Sequence, residues 1–487
     1  MSVLVKESVI PGSSRYLGLV LGPLVLIFTL VFPVPFEGMT ESAWRMIGLA
    51  TFMAIWWVTE AAPIPVTSFL PMILSPLLGT ADIKAATAPY ANPLIFLFLG
   101  GFMLSIAMEK WNLHKRIALI AMLAVGNKPA HQVGGLMLVT AFLSMWMSNT
   151  ATAVMMLPIG MSIIGIVCGE KRDKNPEFAS ALLLGIAYAA SIGGLATLIG
   201  TPPNALLAAY LSTTYHIELG FGQWMLVGLP LTIVMLAITW VWLTKISYKL
   251  PNTQSGDAKG LLKEQLHSLG HLSKGEKWVA VVFVGAAVSW IIRPLLAKWT
   301  GLPINDTSIA IFAALLLFII PVNVKKQEFV LDWESTKNLP WGVLLLFGGG
   351  LSLAAQIKSS GLADFIGQSL SATNGMPILV VMLIVTAAII FLTEVTSNTA
   401  TAAGFLPLLG PIAVAMGAHP AMLAIPAALA ASCAFMMPVA TPPNSIVFAS
   451  GQLKIKEMIR AGFVLNVIGI FIITALSYTL AAWVFGM

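Results

Sequence analysis

The chain has 487 residues, 58% of them hydrophobic and only 9% charged, with 26 Lys and Arg against 20 Asp and Glu. A soluble domain carries about 25% charged residues, so a water-facing globule is excluded and lipid must cover much of the surface. The net charge of +6 does not point to nucleic acid, because the basic residues fall in short clusters between apolar runs, which is a topology signal.

A spanning helix needs about 20 apolar residues. Apolar runs bounded by charge or by Pro and Gly predict helices near residues 17–33, 44–60, 63–78, 92–109, 177–210, 222–245, 277–297, 306–322, 340–358, 421–450 and 461–485, which makes eleven crossings. The first follows Lys6 and Arg15; with no small-residue cleavage site after it, and with Pro33 and Pro35 following, it reads as an uncleaved helix. Two more apolar stretches, 131–168 and 377–416, are long enough for two spans each but carry a polar cluster at the centre. Each is expected to be a re-entrant hairpin, because open backbone at membrane depth is tolerated only in a protein-lined cavity.

In chain order the expected organisation is scaffold helices in 1–90, a first repeat in 91–210 with its hairpin, a sixth helix in 211–250, and a polar linker in 251–277. Further scaffold helices in 278–338 precede a second repeat in 339–450 and a C-terminal helix in 451–487. With the N-terminus cytoplasmic, most Lys and Arg fall on cytoplasmic segments and the C-terminus lies outside, in an inner (plasma) membrane. Lys128 and Lys171-Arg172 flank the first hairpin and put its ends inside, whereas the second has no basic flank and faces outward. Reading either hairpin as two full spans leaves this sidedness unchanged. The linker has room for one short surface helix; His267 and His271 there are four apart, but no carboxylate stands between them, so a solvated face is the reading adopted. Cys168 and Cys433 sit in apolar runs and act as small hydrophobes.

The two repeats are legible in the sequence. Gly100-Gly101 aligns with Gly349-Gly350, Leu113 with Leu362, and Ser148-Asn149-Thr150 with Ser397-Asn398-Thr399, all at one offset of 249 residues. Thr-Pro-Pro-Asn then recurs at 201–204 and 441–444. The charge count orients the two copies oppositely, and inverted repeats with discontinuous helices are the architecture of secondary transporters.

Ser144 and Ser148 are four apart, as are Thr393 and Ser397, so each pair is expected to stack its hydroxyls on one helix face. Consecutive prolines donate no backbone hydrogen bond, which should free the carbonyls of Leu198 and Ile199, and of Pro438 and Val439, with the helices opening at Gly200-Thr201 and Ala440-Thr441. Hydroxyl, amide and carbonyl oxygens without a carboxylate suit a hard monovalent cation, in a membrane transporter Na⁺. Small polar residues also simply pack membrane helices, but two motifs duplicated together with a double-Pro break favour a binding site. No Lys or Arg occurs from 129 to 169, from 175 to 244, or from 365 to 453, so an anion there must be met by bound cations, by Asn and Thr donors, and by the positive N-terminal ends of half-helices. Two symmetric tips suit a ligand with two acceptor ends, such as a dicarboxylate. Glu394, whose repeat partner is Met145, is read as structural ahead of a proton-coupling role. Glu60 is read as a cap, and Trp56, Trp57 and Trp146 as packing or lipid-facing residues. With no HExxH, no Walker lysine loop and no Cys/His cluster, a membrane-embedded enzyme is disfavoured. A channel is disfavoured because paired broken helices suit an occluded site.

The paired Ser-Asn-Thr motifs, the paired Thr-Pro-Pro-Asn breaks and the Trp57-Val58-Thr59-Glu60 turn resemble the divalent anion/sodium symporter family, from about residue 40 to the end. The resemblance implies an all-α polytopic homodimer of eleven-span protomers with two re-entrant hairpins, each having a fixed scaffold and a transport domain that moves like an elevator and carries C4-dicarboxylates such as succinate with Na⁺ and no organic cofactor. It places one sodium site on Ser144, Ser148, Asn149 and the Gly200 carbonyl, and the other on Thr393, Ser397, Asn398 and the Ala440 carbonyl. Substrate carboxylates would meet Asn149, Thr150, Thr201, Pro202, Asn398, Thr399, Thr441 and Pro442. The family also holds sodium-independent exchangers and carriers of sulfate or citrate, so an anion exchanger and a sulfate symporter are the alternatives.

Overall fold

A computed structural model of the chain describes residues 12–168, 176–250, 258–371 and 376–487. Lys6, the flank Lys171-Arg172 and the start of the linker fall outside them. Apart from a short ribbon pairing Pro321–Asn323 with Glu328–Phe329, the regular structure of the described residues is helical. Eight helices are long and apolar enough to cross a membrane, or nine if the bent pair Lys274–Ile291 and Arg293–Thr300 forms one span; Asp306–Ile319, Ile378–Thr393 and Ala421–Ala431 are shorter.

Several boundaries differ from the hydropathy reading, each for a local reason. The run 177–210 is two helices, Pro176–Gly194 and Pro202–Tyr215, and 421–450 is Ala421–Ala431 and Pro442–Ala449. The chain is unwound well ahead of the prolines in both. The span predicted at 277–297 bends by 83° after Ile291, where Pro294 cannot donate to Trp290 and its ring crowds that carbonyl. Two amphipathic helices that the apolar runs do not reveal, Leu113–Ala124 and Leu362–Ser371, extend the repeat beyond the aligned leucines that begin them. The linker does carry a helix, Ala258–Ser268, which packs on Leu113–Ala124 and on the first hairpin.

At the centre, Pro176–Gly194 is buried at every position from Phe178 to Gly194, and Ala421–Ala431 at every position. Helices apolar all round belong in the middle of a bundle. The first hairpin, Pro129–Ser144 and Asn149–Cys168, packs on the former, and the second, Ile378–Thr393 and Asn398–Ala415, on the latter. The half-helix after each break then crosses over. Pro202–Tyr215 packs on Asn398–Ala415 and Ala421–Ala431, while Pro442–Ala449 packs on Asn149–Cys168 and Pro176–Gly194. Each half-helix thereby packs on the other repeat while its motif stays bonded to its own loop.

The aligned glycines allow the crossings that back this core. A Cβ on Gly100 would lie 2.7 Å from the Ala310 backbone, and one on Gly349 would lie 2.8 Å from the Ser68 carbonyl oxygen. Gly101 faces the Ile199 side chain, so the helix Pro93–Lys110 braces the first break from behind.

Candidate binding site

Each hairpin arm ends on a hydroxyl residue, and that hydroxyl makes the same two contacts in both halves. Ser144 Oγ lies 2.7 Å from Asn149 Oδ1 and 2.7 Å from the Ala190 carbonyl oxygen. Thr393 Oγ1 lies 2.8 Å from Asn398 Oδ1 and 2.9 Å from the Ala431 carbonyl oxygen. The hydroxyl, with one proton for two acceptor oxygens, thus sits between the tip amide and the C-terminal part of the central helix.

The expected stacking of Ser144 on Ser148 and of Thr393 on Ser397 does not occur. The arms stop at Ser144 and Thr393, so the second member of each pair lies beyond the helix. Ser148 Oγ instead accepts the Ala151 amide at 3.2 Å, and Ser397 is the N-cap of Asn398–Ala415 with no side-chain capping bond.

At the first break, a Cβ on Gly194 would lie 2.8 Å from Asn149 Oδ1 and 3.0 Å from the Gly200 carbonyl oxygen. Ser144, Asn149 and Gly200 are therefore drawn together around a position that only glycine can hold. Thr201 and Thr441 are the N-caps of the half-helices, each followed by Pro at N1. Thr441 Oγ1 accepts the Asn444 amide at 3.3 Å, whereas Thr201 Oγ1 lies 3.3 Å from Ser432 Oγ, which belongs to the other repeat. Asn149, Thr150 and Asn398 at the tips are half-buried, Thr399 is buried, and at the breaks Pro202 is half-buried while Pro442 is exposed.

The unwinding frees further carbonyls besides those expected from the prolines. Asn204 Nδ2 reaches the carbonyls of Gly194 (3.2 Å), Leu195 (3.4 Å) and Thr197 (2.9 Å), and Asn444 Nδ2 reaches those of Ala434 (3.2 Å) and Met437 (3.0 Å). Of the four predicted, Pro438 is bonded by Ser445 Oγ at 2.6 Å. Asn204 and Asn444 were within sight as the last letter of a duplicated motif of which only the Thr and Pro were given roles.

Glu394 has a structural environment. Its Oε1 accepts from the amides of Phe435 (2.7 Å) and Met436 (2.9 Å) and from Asn466 Nδ2 (2.7 Å), and its Oε2 accepts from the Met437 amide (2.9 Å). A buried carboxylate with four donors makes the backbone pairing that the unwound segment lacks. In the first half Thr197 Oγ1 donates to the Met145 carbonyl and accepts the Gly200 amide at 3.0 Å. Trp57 is 1% exposed and packs inside, as do Trp146 and both cysteines. Glu60 is the C-cap of Glu41–Thr59, in a left-handed conformation.

Four helices of eight or more residues, Asn149–Cys168, Asn398–Ala415, Pro202–Tyr215 and Pro442–Ala449, begin at the tips and breaks. Each carries about +0.5 elementary charge at its first turn, so the site offers positive potential without a basic side chain. Its oxygens are hydroxyl, amide and carbonyl, and the one carboxylate is already committed to four donors.

The chain is 43% identical over 490 residues to the "Sodium-dependent dicarboxylate transporter SdcS" of Staphylococcus saprophyticus, covering 99% of this chain and 94% of that protein. It is likewise 43% identical over 487 residues to the protein of the same name from Staphylococcus aureus, covering 98% and 93%. Among solved structures, the Alcanivorax borkumensis YdaH transporter superposes with a TM-score of 0.56 over 96% of this chain and 98% of that one; at 12% identity this speaks for the fold alone. Residues 13–487 match the family described as "Sodium:sulfate symporter transmembrane region", and the chain belongs to that family.

Proposed function

We propose that this protein is a Na⁺-coupled symporter of divalent anions, with C4-dicarboxylates such as succinate as its substrates. The observation that carries the reading is the duplicated cluster of neutral oxygens, Ser144 with Asn149 and Thr393 with Asn398, set beside broken-helix N-termini in segments without Lys or Arg. A cation held by Ser144, Ser148, Asn149 and the Gly200 carbonyl, and another by Thr393, Ser397, Asn398 and the Ala440 carbonyl, would supply the positive charge that a dicarboxylate needs. Its two carboxylates would then meet Asn149, Thr150, Thr201 and Pro202 on one side and Asn398, Thr399, Thr441 and Pro442 on the other. Adding the cations converts an anion-repelling apolar interior into a neutral cargo, which is why co-transport follows from this donor set. The names of the staphylococcal relatives support the choice of sodium and dicarboxylate.

The finer architecture belongs to the same proposal. Eleven crossings with two re-entrant hairpins in inverted repeats put the site at mid-membrane, the N-terminus inside and the C-terminus outside, in the plasma membrane. All proposed site residues lie in the hairpins and broken helices, which supports their moving together past the remaining helices in an elevator-type cycle, within a homodimer. Uptake of labelled succinate into proteoliposomes, with and without an inward Na⁺ gradient, is the test. Gradient-driven accumulation is expected; equal uptake in Na⁺ and choline, or uptake that needs only internal dicarboxylate, would replace symport by exchange.

A further inference from the structure

The Asn of each Thr-Pro-Pro-Asn motif is 0% exposed and sits inside an unwound loop, where it bonds that loop's own carbonyls. The bonds correspond across the repeats: residues 194 and 197 in the first loop match 434 and 437 in the second, at the same spacing from the Asn. Three residues beyond the inner anchor, in each loop, comes the carbonyl of the proposed cation site, Gly200 or Ala440. The turn between anchor and carbonyl is closed by a bond to residue 197 or 437 as well, from the Gly200 amide to Thr197 Oγ1 at 3.0 Å and from the Ala440 amide to the Met437 carbonyl at 3.2 Å.

A second observation separates this arrangement from simple packing. Both Asn204 Oδ1 and Asn444 Oδ1 are buried without a hydrogen-bond partner. An acceptor in that condition costs about 1–3 kcal/mol, and here it is carried at both related positions. Exceptions to polar satisfaction of this kind collect where geometry serves function.

We infer that Asn204 and Asn444 are positioning residues of the two cation sites, each acting from the centre of its loop to aim the Gly200 or Ala440 carbonyl at the ion. The amide donor holds the inner anchor, and the closed turn from that anchor to residue 200 or 440 gives the carbonyl there one direction before the ion arrives. The donor set is then preorganised, and the ion does not have to order the loop. Neither Asn needs to touch the ion or the dicarboxylate.

The inference rests on the Na⁺ sites proposed above, and its test keeps the two apart. Asn204→Leu and Asn444→Leu keep the volume and remove the donors. Succinate uptake is measured against Na⁺ concentration, and against succinate at saturating Na⁺, beside wild type, with melting in detergent at several Na⁺ concentrations. Expected for each variant is a half-saturating Na⁺ concentration raised about tenfold or more, a correspondingly weaker Na⁺-induced rise in melting temperature, and a succinate half-saturation changed less than about threefold once Na⁺ is saturating. An unchanged half-saturating Na⁺ concentration overturns the inference, whatever happens to maximal rate or to melting without Na⁺. Should a Leu variant not fold, Asn204→Ala and Asn444→Ala, which also remove the donors, are read by the same two outcomes. Uptake by wild type that ignores Na⁺ would instead remove the symport reading itself.

Discussion

The two break loops share a hydrogen-bond plan but are braced by opposite chemistry. In the first, Gly194 and Gly200 touch, and donors reach inward to carbonyls: Trp224 Nε1 to Leu195 at 3.0 Å, Thr232 Oγ1 to Ile192 at 3.1 Å, and Asn204 Nδ2 to Gly194, Thr197 and again Leu195. In the second, Ala434 and Ala440 stand at the matching positions, and an acceptor, Glu394, gathers three successive amides. Unwinding a helix orphans both donors and acceptors. Both loops have carbonyls met by their own Asn; the first adds further neutral donors on its carbonyl side, and the second adds a carboxylate on its amide side. Duplication therefore preserved the parts proposed to face the ligands and left the supporting shell free to diverge.

The comparison is tested most strongly where the halves are alike. Asn149→Ala and Asn398→Ala should each reduce Na⁺-driven succinate uptake to background, with melting temperatures close to wild type. Substantial uptake by only one of them would show that the half-sites are not equivalent. Next comes the bracing. Glu394→Met, which installs the first repeat's residue, strands three amides and Asn466 and should destabilise by about 3 kcal/mol or more, against about 1 kcal/mol for Thr197→Ala, which loses single hydroxyl bonds. Comparable shifts in detergent melting curves would remove the distinction drawn here.

Loop closure gives a smaller and asymmetric effect. A Cβ on Gly200 would stand 2.5 Å from the Gly194 carbonyl oxygen, so Gly200→Ala should lower uptake about tenfold, while Ala440→Gly, which adds no atom, should stay within about threefold. Equal losses in the two uptake assays would mean that the first loop is not held by its glycines. The last test should leave activity unchanged. Lys128→Cys and Ala418→Cys, each in a background without Cys168 and Cys433, should be labelled by an impermeant thiol reagent from opposite faces of the membrane. Labelling from one face would make the repeats parallel.

Much of this was readable from the chain, because hydropathy and repetition act locally. Gly100 with Gly349, Ser148 with Ser397 and Thr201 with Thr441 announce the duplication in single letters, and lipid enforces helices wherever the runs are long enough. What escaped depends on distance. Nothing near Glu394 in sequence foretells Asn466, 72 residues away, or the amides of Phe435 to Met437. The extent of unwinding was missed because prolines set only where a helix must stop. The upstream boundary is decided by Asn204 and Asn444 competing for carbonyls that the helix would otherwise use. Leu113–Ala124 and Leu362–Ser371 escaped because amphipathic helices make no continuous apolar run.

Thr201 and Ser432 meet at 3.3 Å, one from each repeat and both almost fully buried. A hydroxyl pair shared between two loops forms a common wall, so a shift of one loop is passed to the other. A symporter must avoid slippage. A carrier that crossed the membrane with one cation and no anion would drain the gradient to no purpose, and a wall owned by both halves ties a shift at one proposed site to the other.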